Sequence, residues 1–443
     1  MKNIFFFILL LFVTNITFGQ DILSFNDCLK LALTNNLNLK TAINEEQIAV
    51  FQYKLSYGSI LPTVNGVVDS KNIVGRQIDQ NTNKYVTKDL KNYSGSLNAS
   101  FNLFSGFTVI NTIKSLNQQQ QIQKTTIEKV KYDITIDLAQ KFITILYLQE
   151  IVIANKEQIK SSEKQLELAI LKFNSGVIAE SAVFKIKSQK ATEELNLLTN
   201  ENRLTDNFIS LKQLMNMPLE NEIQLIRPNI DINKNALLDE NPFSTTKKAI
   251  EINPLYAISL LKENKAKTAI NLARAALYPS LNLRLNAGSF YTDNYYAKNG
   301  EFIQNDDQIT NNYSKGLRFT ILIPIFSPMD IYSKIKTSKM DFIRTKLNTE
   351  IIKNNLSKEI LKAIADTKTS IKKIESSTTA YEFSKKSYDS DALKFELGKI
   401  NITELNVSKM IYNNAQAELI QSKYELLFNN SLINFYSGEE FRL

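Results

Sequence analysis

A long internal repeat is the feature of this sequence that most constrains its fold. The matching pairs are Asn36 with Asn253 and Pro62 with Pro279 at a separation of 217 residues, and Phe104 with Phe326 and Gly176 with Gly398 at a separation of 222 residues. The separation changes only between the proline and the phenylalanine, so five residues are inserted into one segment of the second copy. Insertions of this kind mark loops. The repeat therefore predicts one structural unit present twice.

The N-terminus predicts a secretory signal peptide. Lys2 precedes an apolar stretch at residues 4–13, and small residues come just before Gln20. The stretch is shorter than the roughly 20 residues of a membrane-spanning helix, so we expect cleavage after residue 19. The single cysteine, Cys28, lies well past the stretch, and no lipid anchor is expected. The predicted organisation is a signal peptide at 1–19, a first repeat at 20–217, a linker at 218–243 and a second repeat at 244–443.

Each repeat contains a predicted strand hairpin, at about 62–104 and about 279–326. Apolar and polar residues alternate there, which is typical of strands with one apolar face. The clearest apolar positions are Tyr93, Leu97, Ala99, Phe101 and Leu103, and then Leu281, Leu283, Leu285, Leu317, Phe319 and Ile321. We predict four strands of about ten residues, the length of a tilted transmembrane strand. The polar stretches 69–92 and 292–312 are predicted to be loops.

The remainder of each repeat has helical periodicity. Residues 109–173 contain neither Pro nor Gly, and a continuous helix of that length would be roughly 100 Å long. Apolar residues recur every seven positions, which indicates coiled-coil packing. The heptad series is Leu138, Ile145, Val152, Ile159, Leu166 and Phe173, and 222 residues later Ile360, Thr367, Ile374, Tyr381, Tyr388 and Phe395. The predicted fold class is mainly α, a long coiled-coil tunnel with a small transmembrane β part.

Four strands are too few to close a membrane barrel, because the smallest have about eight. Open strand edges are not tolerated in lipid. The chain is therefore expected to associate, with two, three or four copies supplying eight, twelve or sixteen strands.

Composition argues against catalysis and nucleic-acid binding. The chain has no histidine and one cysteine, which removes the commonest general base and the commonest zinc ligands. No phosphate-binding glycine loop is present. The net charge is +8, but lysines are interleaved with acidic residues along the chain, so we interpret them as solvated helix faces. No enzyme activity, cofactor, metal or nucleic-acid partner is expected.

The duplicated motifs resemble the TolC family of outer-membrane efflux ducts over essentially the whole mature chain. They are the strand-to-helix turns "LFSG" and "IFSP", the glycine turns "KFNSGVIAES" and "KFELGKINIT", and the Pro62 and Pro279 steps. The resemblance implies a homotrimer in the bacterial outer membrane that extends into the periplasm. It implies a barrel of twelve strands, closed by oligomerisation, and a tunnel of twelve helices. Expected partners are a periplasmic adaptor and an inner-membrane pump of RND or ABC type, in tripartite efflux or type I secretion.

The resemblance also implies candidate site residues. Glu404 and Val407 are candidates for the periplasmic aperture, and the glycine-turn residues Gly176, Val177, Gly398 and Lys399 are candidates for adaptor contact. The strand-to-helix turns are marked by Pro62, Phe104, Gly106, Pro279, Phe326 and Pro328. Val407 stands where the family pattern suggests a second acid, and Ile400 replaces a basic linker. Ala182 occupies the acidic position in the first copy. The duct is therefore expected either to close by weaker, apolar contacts or to open more readily.

Two alternatives belong to other classes. A periplasmic adaptor also has coiled-coil hairpins, but four strands of ten residues with polar loops argue against it. A secreted structural coiled-coil protein would share the heptads, although it has no need of strands with a lipid-compatible face. The sequence does not indicate the transported substrate.

Overall fold

The computed structural model describes residues 21–78, 83–228, 241–293, 295–296, 301, 303–326 and 329–443. The chain divides into a helical unit, residues 1–44, 125–257 and 350–443, and a strand unit, residues 45–124 and 258–349. The predicted signal peptide at 1–19 and Pro328 lie outside the described residues, as do residues 229–240 of the predicted linker.

The helices of the two repeats correspond in order and length. In the first repeat they are α1 (Phe25–Asn35), α2 (Leu37–Ser56), α3 (Thr108–Asn174) and α4 (Glu180–Leu214), and in the second α5 (Pro242–Ile252), α6 (Pro254–Ala275), α8 (Asp330–Glu396) and α9 (Ile402–Tyr436). Helices α3 and α8 each have 67 residues, and α4 and α9 each have 35. The uninterrupted helix predicted over 109–173 is confirmed. No described helix has a stretch both long enough and apolar enough to cross a membrane.

Two repeated asparagines divide the opening helix of each repeat. Asn36 has an extended ψ between α1 and α2, and its side-chain oxygen accepts from the backbone N–H of Asn38 at 2.9 Å. Asn253 lies between α5 and α6 and accepts from the N–H of Leu255 at 2.9 Å. Both side chains are buried. Each asparagine thus ends one helix and caps the next, a break that the helical periodicity of the sequence did not predict.

The core of the helical unit lies where α1, α3, α4 and α9 pack together. Its fully buried side chains include Cys28, Leu138, Phe142, Leu211 and Met215. Strands β1 (Asp21–Leu23) and β4 (Ile223–Leu225) form a short parallel pair beside it. The linker predicted at 218–243 therefore contributes a strand, which the sequence did not predict.

One antiparallel sheet forms the centre of the strand unit, with strand order β2–β3–β5–β6. The strands are β2 (Thr63–Ile78), β3 (Tyr85–Ser105), β5 (Ser280–Thr292) and β6 (Ser314–Leu322). The prediction of four strands is confirmed, but the loop predicted at 69–92 is wrong, because β2 and β3 stay paired from Thr63 with Ser100 to Ile78 with Tyr85. The second connection is also not simply a loop, since it holds helix α7 (Asn305–Asn311), whose buried Gln308 accepts from the N–H of Thr292.

The two faces of this sheet differ in polarity. Cross-strand pairing places Val64, Ala99, Leu285 and Leu317 side by side on one face. The opposite face at this level is polar, with Thr63, Ser100, Arg284 and Arg318 side by side, and Asn282 donates to Asn102 there at 2.8 Å. At the level of these residues the alternation predicted from the sequence is therefore carried across all four strands.

The strand-to-helix turn after β3 requires a glycine. Gly106 has a φ of +61°, and a Cβ there would overlap the carbonyl oxygen of Ala275 and lie 3.1 Å from Cβ of Tyr278. The ring of Phe107 packs edge-on against both Phe104 and Tyr278. The turn marked by Phe104 and Gly106 is thereby brought against the segment that precedes Pro279.

Candidate functional site

The two glycine turns have the same backbone geometry. Gly176 and Gly398 have φ values of +70° and +73°. In the first turn the N–H of Val177 donates to the carbonyl of Lys172 at 2.8 Å, and in the second the N–H of Lys399 donates to the carbonyl of Lys394 at 2.8 Å. Both are Schellman motifs, in which a left-handed glycine ends the helix. We call residues 171–182 and 393–404 the first and second tips.

The tips differ in how the returning helix begins. Ala179 precedes α4 and has no side chain able to cap it. Asn401 precedes α9, and its side-chain oxygen accepts from the N–H groups of Thr403 at 2.8 Å and Glu404 at 3.1 Å. The Asn401 amide in turn donates to the Glu404 carboxylate. Glu404, a candidate aperture residue, is therefore exposed and part of a helix cap, which is a local structural role for it.

A shared apolar cluster joins the two tips. It contains Ala169, Val183, Ile186, Phe395, Ile402 and Leu405. Ala182 and Ile400 pack against it, so the two positions where the family pattern suggests polar links contribute apolar contacts instead. The Lys172 ammonium lies over the Phe395 ring and donates to the carbonyls of Phe395 and Glu396 at the end of α8. A cation at the C-terminus of a helix is stabilised by the helix dipole.

Apolar side chains are exposed on both tips. Val177 is 64% exposed and Leu397 is 61% exposed. Leu171, Leu393 and, in the first turns of α9, Val407 are exposed as well. Grouped apolar side chains of this kind are typical of surfaces that contact another protein.

A buried ionic network lies farther along the helices from the tips. Lys409 of α9 and Glu193 of α4 are only 2% and 4% exposed, and their charged groups are 2.8 Å apart. The Lys409 ammonium also donates to the hydroxyl of Ser162 on α3, and that hydroxyl donates to Glu193 at 2.6 Å. Gln189 donates to Glu193 at 3.0 Å. Burial lowers the pKa of Lys409, and the hydrogen bond to Glu193 opposes that shift.

A tyrosine group lies beside this network. Tyr388 and Tyr412 stack in parallel with their ring centroids 5.4 Å apart. The Tyr388 hydroxyl hydrogen-bonds with the hydroxyl of Ser161 and accepts from Gln165, both at 2.8 Å. Burial raises the pKa of both tyrosines. Tyr388 therefore links α8 to α3 by hydrogen bonds, and Tyr412 of α9 stacks on its ring.

Sequence reasoning missed both polar groups. Lys409 is one of many lysines in the chain, and Ser162, its partner, is 247 residues away in sequence. The internal repeat provided one usable signal, because the counterpart of Glu193 in the second copy is Ala415 and the counterpart of Lys409 in the first is the exposed Lys187. Because only the first copy has an acid at this position, the repeat itself singles out Glu193 as a residue with a role of its own.

Of the remaining predicted residues, Pro62 and Pro279 directly precede β2 and β5. Phe326 is described and highly exposed. Among the described residues there is no group of acidic, cysteine or histidine side chains able to hold a metal ion.

Comparison with known proteins agrees with this architecture. The sequence pattern of the outer membrane efflux protein family matches residues 28–217 and 246–437. The chain is 22% identical to the outer membrane protein TolC of Escherichia coli (strain K12) over 348 residues, which cover 76% of this chain and 68% of that protein. It is 20% identical to toxin and drug export protein A of Aggregatibacter actinomycetemcomitans over 426 residues, 93% of this chain and 86% of that one. The CmeC outer membrane channel of Campylobacter jejuni superposes with a TM-score of 0.77 at 18% identity, covering 94% and 87% of the two chains.

Duplicated long helical hairpins, each joined to a strand hairpin, define the subunit of an outer-membrane channel. The chain belongs to the outer membrane efflux protein family. It resides in the bacterial outer membrane, extends into the periplasm, and is an exit duct of an efflux or secretion system. The family is one of ducts rather than enzymes.

Proposed function

We propose that three copies of the chain form one passive duct, whose sheets join into a barrel of twelve strands, and that the duct conducts cargo without catalysing a reaction. The observation that carries association between copies is the sheet, and the number three is the one that the family resemblance implies. Within the described residues β2 and β6 each pair with one neighbour only, so each sheet has two open edges. Lipid does not satisfy open backbone groups, and β6 of one copy beside β2 of the next continues the antiparallel order.

Disulfide trapping tests the trimer. Thr63→Cys on β2 would be combined in turn with Ser314→Cys and Thr320→Cys on β6. The native Cys28 is fully buried, so it does not compete. Oxidation in membranes should give a ladder of one, two and three chains on a denaturing gel for at least one pair, while each single variant stays monomeric. Monomers alone in both pairs, together with a monomeric mass in mild detergent, would rule out the trimer.

We propose that both tips contact the periplasmic adaptor, which connects the duct to an inner-membrane pump of RND or ABC type. Support comes from the exposed side chains at Val177 and Leu397 and from the position of both glycine turns at the end of a long helix. Exposed apolar side chains at a turn are available for burial by a partner.

Charge changes at the tips test this contact. Val177→Asp and Lys399→Glu should lower export while leaving the amount of trimer unchanged. Lys372→Glu, on an exposed face of α8 away from the tips, is the matched control and should have no effect on export. Normal export by a variant that carries both Val177→Asp and Lys399→Glu would contradict adaptor contact. It would not contradict the proposal that the chain forms a duct.

We further propose that Glu404 and Val407 line the periplasmic aperture. The exposed carboxylate of Glu404 at the first turn of α9 supports a ring of three acids on the axis of the trimer, and such rings favour cations. The exposed Val407, one turn later, would make the neighbouring ring apolar.

A further inference from the structure

Two arginines face each other across β5 and β6 in the strand unit. Arg284 and Arg318 are directly paired in the antiparallel register. Opposed residues on neighbouring strands have Cβ atoms about 5 Å apart, and like charges at such positions destabilise a sheet. The pair therefore needs a compensating contribution, which a counter-charge would provide.

The described chain does not supply that counter-charge. Neither guanidinium has a carboxylate within 4.0 Å among the described residues. Across the sheet, Arg284 pairs with Ser100 of β3, and Ser100 pairs with Thr63 of β2. Neither of these two partners is charged. Asp69 is an acid on the same face, but it is level with Ser94, about 20 Å along the strands. At physiological salt that separation exceeds the Debye length of about 8 Å.

The strand unit as a whole also carries a net positive charge. Its sequence holds 21 Lys and Arg against 12 Asp and Glu, so it carries an excess of nine positive charges. The net charge of the full chain is +8. The positive charge is thus concentrated in the strand unit, while the helical unit is close to neutral.

Both arginines lie on the polar face of the sheet. Leu283 and Leu285, on either side of Arg284 along β5, belong to the apolar face, as do Phe319 and Leu317 beside Arg318. In the proposed trimer the apolar face contacts lipid and the polar face surrounds the lumen. Threefold symmetry then places three Arg284 and three Arg318 side chains around the lumen.

We propose that the Arg284 and Arg318 pair is a binding site for oxyanions that carry carboxylate, phosphate or sulfonate groups. This inference rests on the proposed trimeric duct. Guanidinium groups bind such anions through paired N–H donors, and rings of arginine select anions in pores. An anion bound between the two side chains also removes the repulsion that the register creates.

Block of single channels by inorganic tripolyphosphate tests the site. The purified protein would be placed in planar bilayers, and the anion added to each side in turn. We expect the half-blocking concentration to rise about tenfold or more in the double variant R284Q/R318Q, because charge-assisted hydrogen bonds are lost. Block of the wild type should weaken as the KCl concentration is raised.

The matched control removes the same number of charges from the other face of the sheet. Arg76 pairs with Thr87 and Lys315 with Ala287, both on the face opposite to Arg284. Tripolyphosphate should block the variant R76Q/K315Q at the same half-blocking concentration as the wild type. The single variants R284Q and R318Q should each give an intermediate shift, and their trimer yield, measured on the same gels, monitors folding.

Equal half-blocking concentrations in wild type and R284Q/R318Q, or an open wild-type channel that tripolyphosphate does not block, would overturn the oxyanion site and leave the duct standing. A wild-type protein that is trimeric but conducts no ions would refute the duct, and the oxyanion site with it.

Discussion

Replacing Lys409 with methionine should be among the most destabilising single changes in the helical unit. Methionine keeps most of the volume and leaves the Glu193 carboxylate buried, with only the Ser162 hydroxyl at 2.6 Å and the Gln189 amide at 3.0 Å as partners. Removing one member of a buried ion pair costs about 3–5 kcal/mol. A second substitution, Glu193→Met, should recover most of that loss, since replacing both charges by apolar groups is often neutral.

Hydrogen exchange is the suitable assay, because it reports local opening in the intact detergent-solubilised protein. A loss of 3–5 kcal/mol corresponds to exchange about 10²-fold to 10⁴-fold faster at the amides of α4 and α9 near the pair. The control is Lys373→Met, which removes two partly exposed ion pairs between α8 and α9, with Glu418 and with Glu425. That loss should be below about 1 kcal/mol. If Lys409→Met increases exchange no more than Lys373→Met does, the network does not stabilise the helices as argued.

Three further predictions concern single residues. Glu404→Gln should reduce cation selectivity in a salt gradient and leave trimer yield unchanged, whereas an unchanged reversal potential would place Glu404 outside the aperture. Burial raises the pKa of Cys28 to about 12, so iodoacetamide at pH 8 should label it slowly until the protein is unfolded. Because the folded thiol keeps its proton while the unfolded thiol loses it, the free energy of unfolding should fall as pH rises from about 9 towards 12. It should fall less steeply in Cys28→Ala than in the wild type, and equal slopes would contradict the prediction. Gly106→Ala should lower the melting temperature, because the new Cβ would overlap the Ala275 carbonyl oxygen and the φ of this residue is positive. The strain should reduce the free energy of unfolding by about 1–3 kcal/mol. An unchanged melting temperature would show that the turn adapts.

Long-period features of this fold were predictable from the sequence. The heptads and the absence of Pro and Gly fixed α3 to within one residue at either end, predicted over 109–173 and found at Thr108–Asn174. Both glycine turns were predictable because a left-handed residue after a helix leaves a local signature. The resemblance between the repeats reinforced each of these predictions.

Features that depend on distant partners were not predictable. Residues 69–92 have a loop-like composition, yet they form strands because β2 and β3 supply each other's backbone hydrogen bonds. The three-residue strands β1 and β4 are too short for any periodicity. The pairing of Lys409 with Glu193 depends on the packing of three helices, and sequence spacing alone does not encode it.

The unequal helix caps at the two tips have a consequence for stoichiometry. Both tips have the same Schellman turn, but only the second has the helix cap formed by Asn401 and Glu404. Ala179 occupies the position of Asn401 in the first tip. A trimer of duplicated chains would therefore present six similar turns of two alternating kinds. A partner that recognises the turn alone would find six equivalent docking sites per duct. A partner that also requires the Asn401 and Glu404 cap would find three.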